Sequence, residues 1–200
     1  MPVIKYKTAL ERILRKPVFT PKDSHNEGIP ENYAKKLLHL LAKSGRIRHI
    51  ERGKYTNLDD PIAVAAYVTQ PCYLSLWTAL SIRNLTTQIP FGIEVVTSRK
   101  RFKRKIDFEG TTIMFHTVKP RMMFGYENIV WKENTRIPIA NREKIVIDGV
   151  YLGGIPEDEI LEIVKISNTP LLEKYAALTG DKTTIGKVKE LIEKCSRKKR

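Results

Sequence analysis

Several chemistries are excluded by what this chain lacks. Its two cysteines, Cys72 and Cys195, lie far apart, and with no secretory leader in view a disulfide between them is not expected. No Cys/His cluster has zinc spacing, so neither a metal nor a cofactor is expected. No apolar run approaches the ~20 residues of a membrane span. The opening stretch MPVIKYKTALERILRK has no uninterrupted apolar segment of the signal-peptide kind, which predicts a cytoplasmic location and no membrane partner. Glutamine occurs only twice against 36 Lys and Arg, a faintly thermophile-like trait.

Enzyme signatures are absent too. There is no Gly-rich phosphate loop, no HExxH and no GxSxG. Of the four histidines, His25, His39 and His49 fall in the N-terminal quarter. His116 closes a predicted strand with no nucleophile motif beside it. Asp158, Glu159 and Glu162 share one predicted helix, where a solvated face accounts for them. No residue is nominated as catalytic, and the chain is read as a non-enzyme. A nucleic-acid-processing enzyme is the remote alternative that the basic surface permits.

What the chain does have is positive charge: a formal +14 over 200 residues. That balance favours a polyanionic partner. The length suits one ordinary domain or two small ones. At 42% hydrophobic and 29% charged, the composition is that of a globular protein.

The first 58 residues read as three helices and a hairpin. KTALERIL (7–14) carries Ala9, Leu10, Ile13 and Leu14 on one side. Thr20-Pro21 starts a short helix that Gly28 ends. A third helix runs Glu31–Lys43, closed by Gly45. At about 100° per residue, Ala34, Leu37, Leu38 and Leu41 share one face, while Asn32, Lys35, Lys36, His39 and Lys43 fall opposite. Next comes GRIRHIERGKYTN (45–57), read as a strand at Ile47–Ile50, a turn with Gly53 at positive φ, and a return at Tyr55-Thr56. Three helices and a basic hairpin are the plan of a winged helix-turn-helix. Such a helix fits the DNA major groove, and the wing meets phosphates or the minor groove. In this plan Asn32, Tyr33, Lys35, Lys36 and His39 read the groove of double-stranded operator DNA, and Lys43 is a further DNA-binding residue. Asn32 suits adenine, and Lys35 or Lys36 suits guanine or phosphate. Arg46, Arg48, Arg52 and Lys54 neutralise the backbone. A solvated helix face with a basic loop, or a winged helix used for protein contacts, is the plainer reading.

Residues 59–200 read as a second, mixed α/β domain that turns helical from about 155, giving an α+β chain overall. Helices are predicted from Pro61 to Val68, from Tyr73 to Ile82, from Asn141 to Leu152, and at 156–167, 171–179 and 185–195. Strands are predicted at 93–97, 106–108, 111–115, 126–131 and 137–139, with Gly153-Gly154 as a hinge. Arg99, Lys100, Arg101, Lys103, Arg104 and Lys105 surround Phe102 in the run RKRFKRK. This run is a second phosphate patch, a contact for an acidic protein or a partner's RNA, or a solvated loop. Phe102 either stacks on a base or anchors the loop. The tail KCSRKKR attracts DNA non-specifically or is disordered. Trp77 and Met122-Met123-Phe124 are read as packing.

The hairpin ending LDDP, the stretch PCYLSLWTALSIRNLTTQIPFGIEVVTSRKRFKR, then VKPRMMFGYE and IPIANREKIVIDGVYL together resemble the AbiEi family of abortive-infection antitoxins and transcriptional regulators. The resemblance runs over residues 5 to 185. It implies an N-terminal domain that binds operator DNA and represses its own operon. It also implies a C-terminal domain that carries antitoxin activity against a nucleotidyltransferase-like toxin, without a stable complex between the two.

Overall fold

Thr20 and Asp23 set the geometry of the N-terminal segment. Thr20 Oγ1 accepts from the Asp23 N–H at 3.3 Å, and Asp23 Oδ2 accepts from the Thr20 N–H at 2.9 Å. This reciprocal cap starts α2 at Pro21–Asn26. α1 (Lys7–Leu14) precedes it and α3 (Glu31–Lys43) follows. Ala34, Leu37, Leu38 and Leu41 of α3 are buried at helical spacing. They close on Leu10, Ile13, Phe19, Ile29, Ile47 and Tyr55 as a small core of their own. Leu38 has no exposed surface, and burying a leucine fully contributes roughly 1.5–3 kcal/mol. The structure, a computed structural model, describes residues 5–197.

The hairpin is β1 (Arg48–Glu51) and β2 (Lys54–Thr56), one residue later at each end of its first strand than the sequence pattern predicts. Gly53 takes φ +72° at its turn. Phe19 adds a short third edge, exchanging backbone hydrogen bonds with Tyr55 at 2.9 Å each way. The register slips between His49 and Glu51. Ile47 lies in the small core and Ile50 packs into the larger one, three residues on and so on the opposite face of an extended chain.

The larger unit is a six-stranded mixed sheet. Its strands are β3 (Cys72–Leu74), β4 (Ile93–Thr97), β5 (Lys105–Phe108), β6 (Thr111–Thr117), β7 (Tyr126–Val130) and β8 (Arg136–Ala140), in the order β5-β6-β4-β3-β8-β7. β4 runs parallel to β6 and β3 parallel to β8; the other pairs are antiparallel. The helices are α4 (Pro61–Val68), α5 (Leu76–Ile82), α6 (Arg142–Leu152), α7 (Glu157–Lys165), α8 (Thr169–Thr179) and α9 (Lys182–Arg197). The chain is therefore α+β, with its last three helices in succession.

One predicted element is corrected. Tyr73–Ile82 is not a single helix. Cys72–Leu74 is a strand, Ser75 follows it, and α5 begins at Leu76, which turns the chain at φ +52°. The left-handed turn is strained for leucine. It is held by Glu94, whose carboxylate accepts from the Trp77 N–H at 2.9 Å and whose carbonyl accepts from the Ser75 N–H at 3.1 Å. Gly153 and Gly154, at φ +74° and +91°, reverse the chain between α6 and α7. There Trp77 Nε1 donates to the Gly154 carbonyl at 2.7 Å. Met122 is buried in the core and Phe124 packs on Tyr175. Within the tail, Lys194 lies in α9 and pairs with Glu157 and Glu190 at 2.6 Å each. The last three residues of the basic tail lie outside the described residues. Among the described residues, no helix is long and apolar enough to cross a membrane.

Candidate nucleic-acid interface

The outer face of α3 is built by subtraction. With Ala34, Leu37, Leu38 and Leu41 facing the core, helical geometry leaves Asn32, Lys35, Lys36, His39 and Lys43 exposed. Leu40, 52% exposed, sits among them, an apolar residue on this face that the polar pattern did not single out. Lys35 pairs with Glu31 at 2.7 Å across one turn. Tyr33 is partly buried, its ring 5.4 Å from that of Tyr6, so it flanks this face and does not lie on it.

The hairpin cations divide into two groups. Arg46 and Arg52 are exposed and unpaired among the described residues. Arg48 is held by two carboxylates, Asp59 and Glu109, the latter at 3.0 Å. Lys54 donates to Glu51 at 2.9 Å and to the Val68 carbonyl. These two side chains fasten the hairpin to the larger unit, which the sequence pattern assigned to phosphate contact.

The RKRFKRK run lies against the same hairpin. Arg101 Nη2 reaches Glu51 Oε2 at 2.6 Å, and its guanidinium sits 3.9 Å over the Phe115 ring. Its side chain is almost wholly buried, so Arg101 anchors the loop. Arg99 donates to the Gln70 carbonyl at 3.0 Å. Lys100, Lys103, Arg104 and Lys105 are exposed, with no carboxylate partner among the described residues. Phe102 is fully exposed and does not anchor the loop. Arg52, Lys54 and residues 99–103 line one cleft of about 860 Å³ between hairpin and loop. Two basic patches some fifty residues apart in sequence thus form one surface.

Glu51 is the hub of that junction. Partial burial pushes its carboxyl upward, but hydrogen bonds from Arg101 and Lys54 outweigh this and hold it below the usual glutamate range. A depressed carboxyl contributes stability that is complete above its ordinary value of 4.5 and is lost as pH falls through the lowered folded value. Glu51→Gln removes the charge at every pH. It leaves the nearly buried Arg101 guanidinium without its carboxylate, and is expected to speed tryptic cleavage within residues 99–105 several-fold at neutral pH and to lower the melting temperature by a few degrees. Cleavage at the wild-type rate would show that the loop is held by other contacts.

A second polar cluster is sealed inside the larger unit. Asp148 accepts from Ser75 Oγ at 2.7 Å and Tyr73 Oη at 3.0 Å, and pairs with Lys144 Nζ at 2.7 Å. All four residues have no exposed surface, so no substrate reaches them. Nearby, Glu94 lies 3.3 Å from His116 Nε2 and is committed to holding the start of α5. No group of three or more His, Cys, Asp or Glu among the described residues is arranged to hold a metal ion.

No family model and no curated protein matches this chain. Among solved structures, it is similar to the crystal structure of the RV2827C protein from Mycobacterium tuberculosis. The two are 13% identical with a TM-score of 0.60, covering 96% of this chain and 76% of that one. At this identity the likeness is one of fold.

Proposed function

We propose that this chain is a sequence-specific DNA-binding transcriptional regulator whose first 58 residues act as a winged helix-turn-helix. In the same reading it represses its own operon. It also serves as an AbiEi-type antitoxin paired with a nucleotidyltransferase-like toxin. The observation that carries the DNA reading is α3. Its outer face presents Asn32, Lys36, His39, Leu40 and Lys43 to solvent, and a hairpin with unpaired Arg46 and Arg52 follows directly. A 13-residue helix is about 20 Å long and fits a groove about 12 Å wide. Asn32 supplies the donor and the acceptor that an adenine edge needs, Lys36 the donor for guanine, and Leu40 suits a thymine methyl. Arg48 and Lys54 brace the hairpin, leaving phosphate contact to Arg46, Arg52 and the basic loop. The antitoxin role rests on the sequence resemblance. The exposed basic loop favours a version in which the second domain does that work.

The test is a gel-shift titration on the chain's own upstream DNA, at two salt concentrations, against an unrelated duplex of equal length. Selective binding is expected. Asn32→Ala with Lys36→Ala should weaken operator binding by about 1–3 kcal/mol per lost base contact, and the unrelated duplex far less. Equal loss on both duplexes, or no loss, would remove α3 from base reading.

A further inference from the structure

The sheet has two edges, and they are finished differently. β5 lies beside the hairpin, with Arg48 reaching across to Glu109 at 3.0 Å. β7 pairs with β8 on one side and, among the described residues, with no strand on the other. It has neither the lysine, the proline nor the bulge that commonly blunts a bare edge. Tyr126 is 36% and Val130 65% exposed.

The hydrogen-bond phase of this edge can be read directly. The Asn141 N–H donates to the Gly125 carbonyl at 2.9 Å and the Trp131 N–H to the Thr135 carbonyl at 2.7 Å. In an antiparallel ladder bonded pairs alternate, so Glu127 and Ile129 also face β8. The N–H and C=O of Tyr126, Asn128 and Val130 point outward. Pro138, opposite Asn128, agrees with this phase because it has no N–H to give.

We propose that β7 is the interface of a two-fold symmetric dimer, in which Tyr126–Val130 pairs antiparallel with the same strand of a second copy, centred on Asn128. In that register Asn128 faces Asn128, and Tyr126 faces Val130 of the second copy. Each outward group finds its partner, both bonds forming at each facing pair. Tyr126 against Val130 is a favourable aromatic to β-branched cross-strand pair. The charge pattern also selects a second copy. A chain of net +14 repels itself over most of its surface, but Tyr126–Val130 holds no Lys or Arg. Its one acid, Glu127, is neutralised by Arg83 at 2.8 Å. The two Glu127 residues fall on a diagonal roughly 7–8 Å apart, each beside its own arginine. Salt screens the remaining repulsion, so association strengthens with ionic strength, whereas DNA binding weakens. The opposite salt responses keep failure of this proposal separate from failure of the DNA reading.

The experiment is sedimentation velocity on the full chain without DNA, from micromolar to hundreds of micromolar, at low and high salt. A concentration-dependent dimer favoured by salt is expected. Asn128→Pro removes an outward N–H that the β7–β8 ladder does not use, and should raise the dissociation constant at least about tenfold. Val130→Lys, at an exposed side chain, should do likewise, with circular dichroism confirming the fold of both. Asn128→Cys places two thiols on the axis, where facing Cα atoms about 5.5 Å apart lie within disulfide reach. Cys72 and Cys195 are buried, so the new thiol alone should crosslink two copies. Wild-type protein that stays monomeric throughout with no crosslink at residue 128, or a dimer untouched by both edge variants, would overturn the proposal.

Discussion

Lys144→Met should destabilise the protein by about 3–5 kcal/mol, the cost of leaving one member of a buried ion pair unpaired. For a chain of this length that lowers the melting temperature by on the order of 10 °C. Lys144 and Asp148 have no exposed surface, with Nζ 2.7 Å from Oδ1. Beyond Asp148, the ammonium faces the Phe124 ring at 4.3 Å and the Tyr73 ring at 5.6 Å. Burial pushes the lysine down, and the nearby carboxylate only partly restores it. Burial pushes the aspartate up against the opposing pull of Lys144, Ser75 and Tyr73. Both shifts run against the charged forms, so the attraction within the pair offsets only part of its desolvation. The folded state holds a proton on Asp148 at a pH where the unfolded carboxyl has lost it, so stability falls as pH rises from 3.8 to the raised folded value. Asp148→Asn alone strands a buried ammonium and should also cost several kcal/mol. The double variant Lys144→Met with Asp148→Asn keeps an acceptor for Ser75 and Tyr73 and removes both charges. It should lose far less than the two single losses added, with a flatter acid limb. Urea unfolding of the four proteins across pH closes this cycle. Strictly additive losses would show that the two charges do not compensate one another.

Local signals in the sequence carried the N-terminal helices almost residue for residue. Thr20-Pro21, Gly28 and Gly45 act within a turn of where they stand, and the 34/37/38/41 spacing needs only helix geometry. YLSLWTALSI was misread because an unbroken apolar run fits a buried strand and a buried helix equally. What divides it is the left-handed Leu76, held by Glu94 from another strand. Lys144 and Asp148 look like an ordinary exposed i, i+4 pair. The neighbouring Ile145, Val146 and Ile147 carried the contrary signal, since they point around α6 and leave it no free polar face. The hairpin cations failed for a different reason. Arg48, Lys54 and Arg101 are basic and surface-like in sequence, yet Asp59, Glu109 and Glu51 claim them through contacts that only the fold creates. Charge composition locates cations, but their partners decide which remain for a ligand.

Lys100, Lys103, Arg104 and Lys105 are exposed and unpaired among the described residues, and the first two line the cleft that also holds Arg52. If this loop tracks a DNA backbone, each contact releases counterions and adds about 0.9 to the slope of log affinity against log salt. Replacing all four by glutamine should then reduce the slope by about 3–4 and lower affinity at moderate salt by roughly two to three orders of magnitude. The loss should be nearly equal on operator and unrelated duplex, because phosphate contacts carry no sequence information. That outcome contrasts with Asn32→Ala and Lys36→Ala, which should lower the preference for operator over unrelated duplex. Arg101 must stay in the variant, because its contacts with Glu51 and Phe115 hold the loop in place. Titrations at four salt concentrations on both duplexes give slope and preference together. An unchanged slope would place the loop off the DNA, leaving its exposed charge and Phe102 for a different partner of the second domain.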